Sequence, residues 1–178
     1  MGQTFTDWIR TIFFGGVNIK TLLVGLDNAG KSSILYKLQL GENIATVPTI
    51  GFNVELIQYR NIDFVMWDIG GQDKIRQLWV HYYQGVKVVI FVIDSNDVER
   101  IEQASGELKR MMSNDQLKDV KLLVLANKQD LPNALDIQEI TRKLNLEELK
   151  QKEWFIQPCS VLEDTGLFEG LDWISNAL

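Results

Sequence analysis

Residues 25–32 read Gly25-Leu26-Asp27-Asn28-Ala29-Gly30-Lys31-Ser32. The spacing is G-x-x-x-x-G-K-[ST], and its flanks give it meaning. Before it runs Ile19-Lys-Thr-Leu-Leu-Val24, a buried-strand pattern; after it, Lys31 to about Leu40 reads as a helix. A strand that turns through glycines into a helix lets backbone N–H groups curl around phosphate oxygens. The helix adds the positive end of its dipole. Asp27, Asn28, Ala29, Gly30, Lys31, Ser32 and Ser33 are therefore the expected phosphate cradle. Lys31 would reach the β- and γ-phosphates, and the Ser32 hydroxyl would ligate Mg²⁺.

Working outward, apolar runs alternate with amphipathic ones. Residues 52–59 and 62–68 are strand-like and joined by Arg60-Asn61, a connection that permits only an antiparallel hairpin. Then come a helix near 72–83, a strand at 86–93, a helix at 97–112, a strand at 121–126, a helix near 136–149, a strand at 153–158 and a last helix from 166. Near-continuous apolar strands imply a mostly parallel sheet covered on both faces. The expected fold is α/β: a three-layer P-loop NTPase sandwich of six strands, one of them an antiparallel edge strand. The organisation expected is an N-terminal segment, 1–16, followed by one domain, 17–178.

The chain has 178 residues, 46% apolar and 24% charged, which suits one soluble globular domain. No apolar run is long enough to span a membrane, and no cleavable leader is legible at the start. Cys159 is the only cysteine, so no internal disulfide forms and a reducing compartment fits. A net charge of −6 argues against a nucleic-acid partner.

Ligands of such sheets bind at the carboxyl ends of the strands, and the remaining motifs fall there. Asn127-Lys128-Gln129-Asp130 follows the strand at 121–126. A carboxylate only accepts hydrogen bonds. Guanine offers it two adjacent donors, whereas adenine presents an acceptor there. Sites that pair with a substrate group can reject the analogue lacking it by about 10⁴-fold or more. Asp130 with Asn127 and Lys128 is the expected guanine site. Asp68-Ile69-Gly70-Gly71-Gln72 ends the strand at 62–68. Asp68 suits Mg²⁺ held through water. Gly70 and Gly71 let backbone approach the γ-phosphate, and Gln72 is placed to orient the attacking water. Thr49, in Pro48-Thr49-Ile50-Gly51, would give Mg²⁺ a second hydroxyl and the γ-phosphate an N–H. After strand 153–158, a backbone N–H in Ser160-Val161-Leu162, that of Val161, would donate to guanine O6.

The stretches GLDNAGKSSILYKL, VPTIGFNVE, WDIGGQDKIR, ANKQDLPNA and EGLDW resemble the ADP-ribosylation factor (Arf) family of small GTPases, over essentially the whole length. The resemblance implies a switch that binds GTP and GDP with Mg²⁺. It would be loaded by an exchange factor and turned off by a GTPase-activating protein, recruiting effectors as a monomer. The implied setting is vesicle-mediated transport, cycling between the cytoplasm and the cytosolic face of membranes such as the Golgi. An alternative within the family is an Arf-like regulator of soluble effectors or of cytoskeletal or ciliary traffic. The pattern departs from the usual Arf one at Asn28, Ser32-Ser33, Gln77, Val80 and Gly16-Val17-Asn18, and the loop around Ser160–Asp164 reads more like some Arf-like members.

Met1-Gly2-Gln3-Thr4-Phe5-Thr6 matches an N-myristoylation pattern at Gly2. Phe5, Trp8, Ile9, Ile12 and Phe13 form one apolar stripe on a helix. That stripe could pack on its own domain or enter a membrane, and the resemblance implies alternation between the two, with hairpin 52–68 sliding in register. It also implies that Phe52, Trp67 and Tyr82 meet in an effector patch; the strand pattern alone fits core packing as well. His81 reads as structural, and Cys159 as a buried strand-end residue. No arginine stands where it reaches the γ-phosphate in cis, so intrinsic hydrolysis should be slow and a partner's arginine worth roughly 10³–10⁵ in rate. Two other classes compete. An adaptor that holds GTP without turnover is disfavoured by Gln72. A small-molecule kinase would need a lid, and no lid sequence is found.

Overall fold

The computed structural model describes residues 17–41, 49–60, 62–149 and 152–178. Gly2, the stripe from Phe5 to Phe13, the Gly15-Gly16 break and Pro48 lie outside these residues.

Six strands form one sheet: β1 (Val17–Gly25), β2 (Phe52–Tyr59), β3 (Ile62–Ile69), β4 (Val88–Asp94), β5 (Lys121–Asn127) and β6 (Glu153–Pro158). Their spatial order is β2-β3-β1-β4-β5-β6. Only β2 and β3 run antiparallel, from Phe52 opposite Ile69 to Tyr59 opposite Ile62. The other neighbours are parallel, with Leu22 beside Trp67 on one side and Val89 on the other. The chain leaves β1 toward β3 and β2 but leaves β4 toward β5 and β6. The order therefore reverses between β1 and β4, where a crevice opens at the strand ends.

Successive side chains of a strand point to opposite faces, and the central strands are apolar on both. Leu22, Val24, Phe91 and Val124 belong to one core with Trp79, Leu108 and Ile140. Leu23, Phe64, Ile90 and Leu123 belong to the other with Ile34, Leu35, Leu171 and Ile174. Helices α1 (Lys31–Leu40) and α5 (Leu167–Ala177) cover the second face; α3 (Ile101–Met112) and α4 (Ile137–Lys143) cover the first. Among the described residues no helix is long and apolar enough to cross a membrane.

Three helices differ from the sequence expectation. The segment 72–83 is not one helix but a single turn, α2 (Asp73–Arg76), followed by a 3₁₀ turn, Trp79–Tyr82. Trp79 is fully buried and its indole N–H donates to the Gly70 carbonyl at 3.0 Å, drawing the chain inward before a second α-turn can form. Helix α3 begins at Ile101 rather than 97. Residues 97–100 form a turn in which Asp97 accepts from the Arg100 backbone and side chain. The expected helix at 136–149 stops at Lys143; Asn145 takes a left-handed φ of 53°, and a 3₁₀ turn, Leu146–Glu148, follows.

Candidate nucleotide site

The 25–32 loop sits at the carboxyl end of β1, where the strand order reverses. Gly30 takes a φ of 99°. A Cβ there would stand 2.4 Å from Asn127 Nδ2, so glycine is required by both conformation and space. Asn28 is also left-handed, at 63°. The loop is held from three sides. Asp27 N–H donates to the Gly71 carbonyl at 3.2 Å. Asn127 Nδ2 donates to the Ala29 carbonyl at 2.9 Å. Arg100 donates to Asp27 Oδ1 at 2.9 Å and to its carbonyl at 3.2 Å.

A cleft of about 250 Å³ lies over this loop. Its lining includes Asp27, Asn28, Gly30, Lys31, Ser32 and Ser33, joined by Thr49, Gly71, Gln72 and Lys128. Lys31, nearly buried, turns its ammonium back to the Leu26 carbonyl at 3.0 Å. Burial pushes its pKa down, against the pull of Asp68 and Asp27. An anion in the cleft would offset that penalty.

At the other wall three oxygens converge. Ser32 Oγ donates to Asp68 Oδ2 at 2.5 Å and lies 2.9 Å from Thr49 Oγ1; Thr49 Oγ1 is 3.4 Å from the same carboxylate oxygen. Asp68 is 1% exposed, and its Oδ1 has no hydrogen-bond partner among the described residues. Burial raises its pKa; the Ser32 hydrogen bond, Lys31 and Thr49 only partly oppose this. A buried carboxylate with a spare oxygen beside two hydroxyls fits a hard divalent cation that completes its shell with phosphate and water. Ser32, Thr49 and Asp68 could hold Mg²⁺ in that way.

Gln72 is exposed at the N-cap of α2, with its carbonyl accepting from Ile75 and Arg76 N–H, and its side chain lines the cleft. The Gly70 N–H, read from sequence as facing a phosphate, donates here to the Gly51 carbonyl at 3.0 Å.

The residues expected from sequence to read guanine cluster at the ends of β5 and β6, with Lys128 reaching the cleft itself. Asp130 Oδ1 accepts from buried Ser160 Oγ at 2.6 Å. Val161 N–H lies 3.3 Å from Asn127 Oδ1. Lys128 spans to Asp94 Oδ2 at 2.7 Å. Cys159 is buried just past β6 and His81 is exposed. Phe52, Trp67 and Tyr82 meet, with ring centroids 5.4, 5.5 and 5.8 Å apart. Phe52 is half-exposed while Trp67 and Tyr82 also pack on the core, so the trio belongs to both surface and interior.

Sequence reasoning missed Arg100, Asp94 and Ser95. Asp94 ends β4 and Ser95 follows it, where ligand loops gather, and that position was the available signal. Ser95 is fully buried and accepts from Gln129 Nε2 at 2.8 Å. Nothing local points Arg100 at Asp27.

A phosphate loop at the switch point of a parallel sheet, with N-K-x-D on β5 and D-x-G-G-Q on β3, defines the class: a P-loop GTPase. Residues 5–178 match the sequence model of the ADP-ribosylation factor family. The chain belongs to that family of small GTPases; it binds guanine nucleotide and hydrolyses GTP. Among solved structures it is similar to the Arl6 (BBS3) small GTPase from Trypanosoma brucei with a bound nucleotide analogue, GppNp. The TM-score is 0.83, with 30% identity over 90% of this chain and 97% of that one. Members of the family work with exchange factors, GTPase-activating proteins and effectors.

Proposed function

We propose that the chain is a membrane-recruitment switch in vesicle-mediated transport. Residues 17–178 would act as a monomeric GTPase domain and residues 1–16 as its acylated anchor at Gly2, cycling to the cytosolic face of membranes such as the Golgi. The observation that carries this reading is the convergence of Ser32, Thr49 and Asp68. Asp68 lies opposite Asn53, and its neighbour Trp67 lies opposite Val54, beside Phe52. Asp68 follows Trp67 directly and Thr49 stands just before Phe52, so two of the residues that would sense a γ-phosphate are chain neighbours of the part-exposed aromatic trio Phe52, Trp67 and Tyr82, the proposed effector patch. A Mg²⁺ ion bound here would neutralise charge on the β- and γ-phosphates. Asp27–Ser33 with Gly70 and Gly71 cradle the phosphates, and Lys31 pairs with them. Gln72 orients water. Asp130, aimed by Ser160, accepts guanine's two donors beside Asn127, Lys128 and Val161.

Two membrane signals are needed because one myristoyl chain binds at only about 10⁴ M⁻¹. The test is flotation of acylated, full-length protein on liposomes with GDP and with a slowly hydrolysed GTP analogue, beside Gly2→Ala and a Trp8→Ala/Ile9→Ala double variant. Flotation with the analogue only, lost in both variants, supports the reading. Flotation that ignores the nucleotide overturns it. The second reading, an Arf-like regulator acting on soluble effectors or in cytoskeletal or ciliary traffic, draws on the similarity to Arl6. It predicts nucleotide-dependent effector binding without flotation.

A further inference from the structure

We infer that Lys37 and Asp164 form a clasp that holds the base-reading loop against α1 and sets how long guanine nucleotide stays bound. Lys37 lies in the last turn of α1, its side chain only 10% exposed, with Nζ 3.1 Å from Asp164 Oδ2 and 3.2 Å from the Gly41 carbonyl. A buried ammonium needs a counter-charge as well as a carbonyl, and Asp164 supplies it. Asp164 stands at a φ of 59°, where most side chains are disfavoured. Backbone economy would favour glycine or asparagine there, so the carboxylate is what the position gains.

The turn that carries Asp164 also carries the base site. Ser160 and Thr165 exchange both backbone hydrogen bonds at 3.0 Å, closing residues 161–164 into one turn. Ser160 Oγ accepts from Glu163 N–H at 3.1 Å and donates to Asp130. Lys37 sits on the helix that starts at the phosphate loop. The pair thus ties the phosphate half to the base half from outside, through Ser160 to Asp130. Lys37 and Asp164 are positioning residues; neither lines the cleft. The inference rests on Asp130 reading guanine.

The experiment measures dissociation of a fluorescent GDP from full-length protein. The variants are Lys37→Met, Asp164→Asn, both together, and Lys37→Arg. Asparagine keeps the left-handed backbone, so Asp164→Asn removes charge alone from a half-exposed site and leaves folding intact. Partly exposed pairs are modest, so Lys37→Met and Asp164→Asn should each release GDP about 2- to 5-fold faster at low salt. The double variant should be no faster than either single one, because one interaction is lost in each. Wild type and Lys37→Arg should accelerate in molar salt while the charge-removing variants do not. Single-turnover hydrolysis of GTP already bound should keep its rate, and Lys37→Arg should restore slow release. Wild-type release from Asp164→Asn, or additive effects in the double variant, would overturn the clasp. Asp130→Asn runs in parallel. If it fails to shift preference toward xanthosine nucleotides, the base-site reading falls, in a variant that leaves the clasp untouched.

Discussion

The Asn127 side-chain amide donates to the Ala29 carbonyl across 98 residues of sequence, and its oxygen accepts from Val161 N–H. One buried side chain therefore fixes the phosphate loop and the base loop relative to each other. Removing it strands a buried carbonyl and an N–H, each costing about 1–3 kcal/mol. Asn127→Ala should weaken GDP and GTP binding together by at least about tenfold and lower the melting temperature of the nucleotide-free protein. Titration calorimetry with both nucleotides checks this; a selective loss of one would contradict the shared-frame role.

Gly71 lies against the same loop. A Cβ there would sit 2.4 Å from the Gly25 carbonyl and 2.5 Å from Asp27 N, and all of these are backbone atoms that cannot swing away. Gly71→Ala should displace the phosphate loop and cost more than tenfold in nucleotide affinity.

Gly106 makes the opposite case. It is exposed in the middle of α3, and a Cβ would meet nothing within 4 Å. Gly106→Ala should stabilise the protein by roughly 0.5–1 kcal/mol, read from denaturant unfolding of the nucleotide-bound form, with nucleotide affinity unchanged.

Gln72→Leu removes the groups that would orient water from an exposed position at the mouth of the cleft. Binding should persist, while hydrolysis stimulated by a GTPase-activating protein falls by orders of magnitude. Equal stimulated rates in single-turnover assays would take Gln72 out of the reaction.

The Cys159 thiol is pushed up from 9.0 to about 12, chiefly by burial and secondarily by the charge of Glu169. Near pH 8 its thiolate is then about a thousandfold scarcer than that of a free thiol, so thiol reagents should label it only as fast as the protein unfolds. The sign for stability follows from proton binding. Above pH 9.0 the unfolded chain loses this proton first while the folded one keeps it, so stability falls as pH rises from 9.0 toward 12. A melting temperature that rises over that range in wild type relative to Cys159→Ala would contradict the assignment.

The sheet was legible because buried strands leave unbroken apolar runs, and the motifs were legible because phosphate and guanine each demand particular groups at fixed spacing. Two of the three helix failures share a cause. Trp79 breaks the 72–83 helix by reaching Gly70, and Arg100 diverts residues 97–100 toward Asp27. Both are tertiary contacts that no local period encodes. Lys37 with Asp164 was invisible for the same reason: an ordinary helix lysine and an ordinary loop aspartate become a pair only after β6 docks.

The alternation of neighbours in the sheet has a bearing on how this chain behaves when empty. Strands β1 and β4 are adjacent in space but separated in sequence by the whole hairpin, and loop closure on that scale is slow. The loops that would grip the ligand come together only after those non-local pairings, so the ligand binds the finished fold and not its precursors. Occupancy then becomes a term in the folding equilibrium: a hundredfold excess of nucleotide over its Kd adds about 2.7 kcal/mol. A partner that empties the site leaves behind a molecule closer to its own unfolding, which refilling quickly rescues.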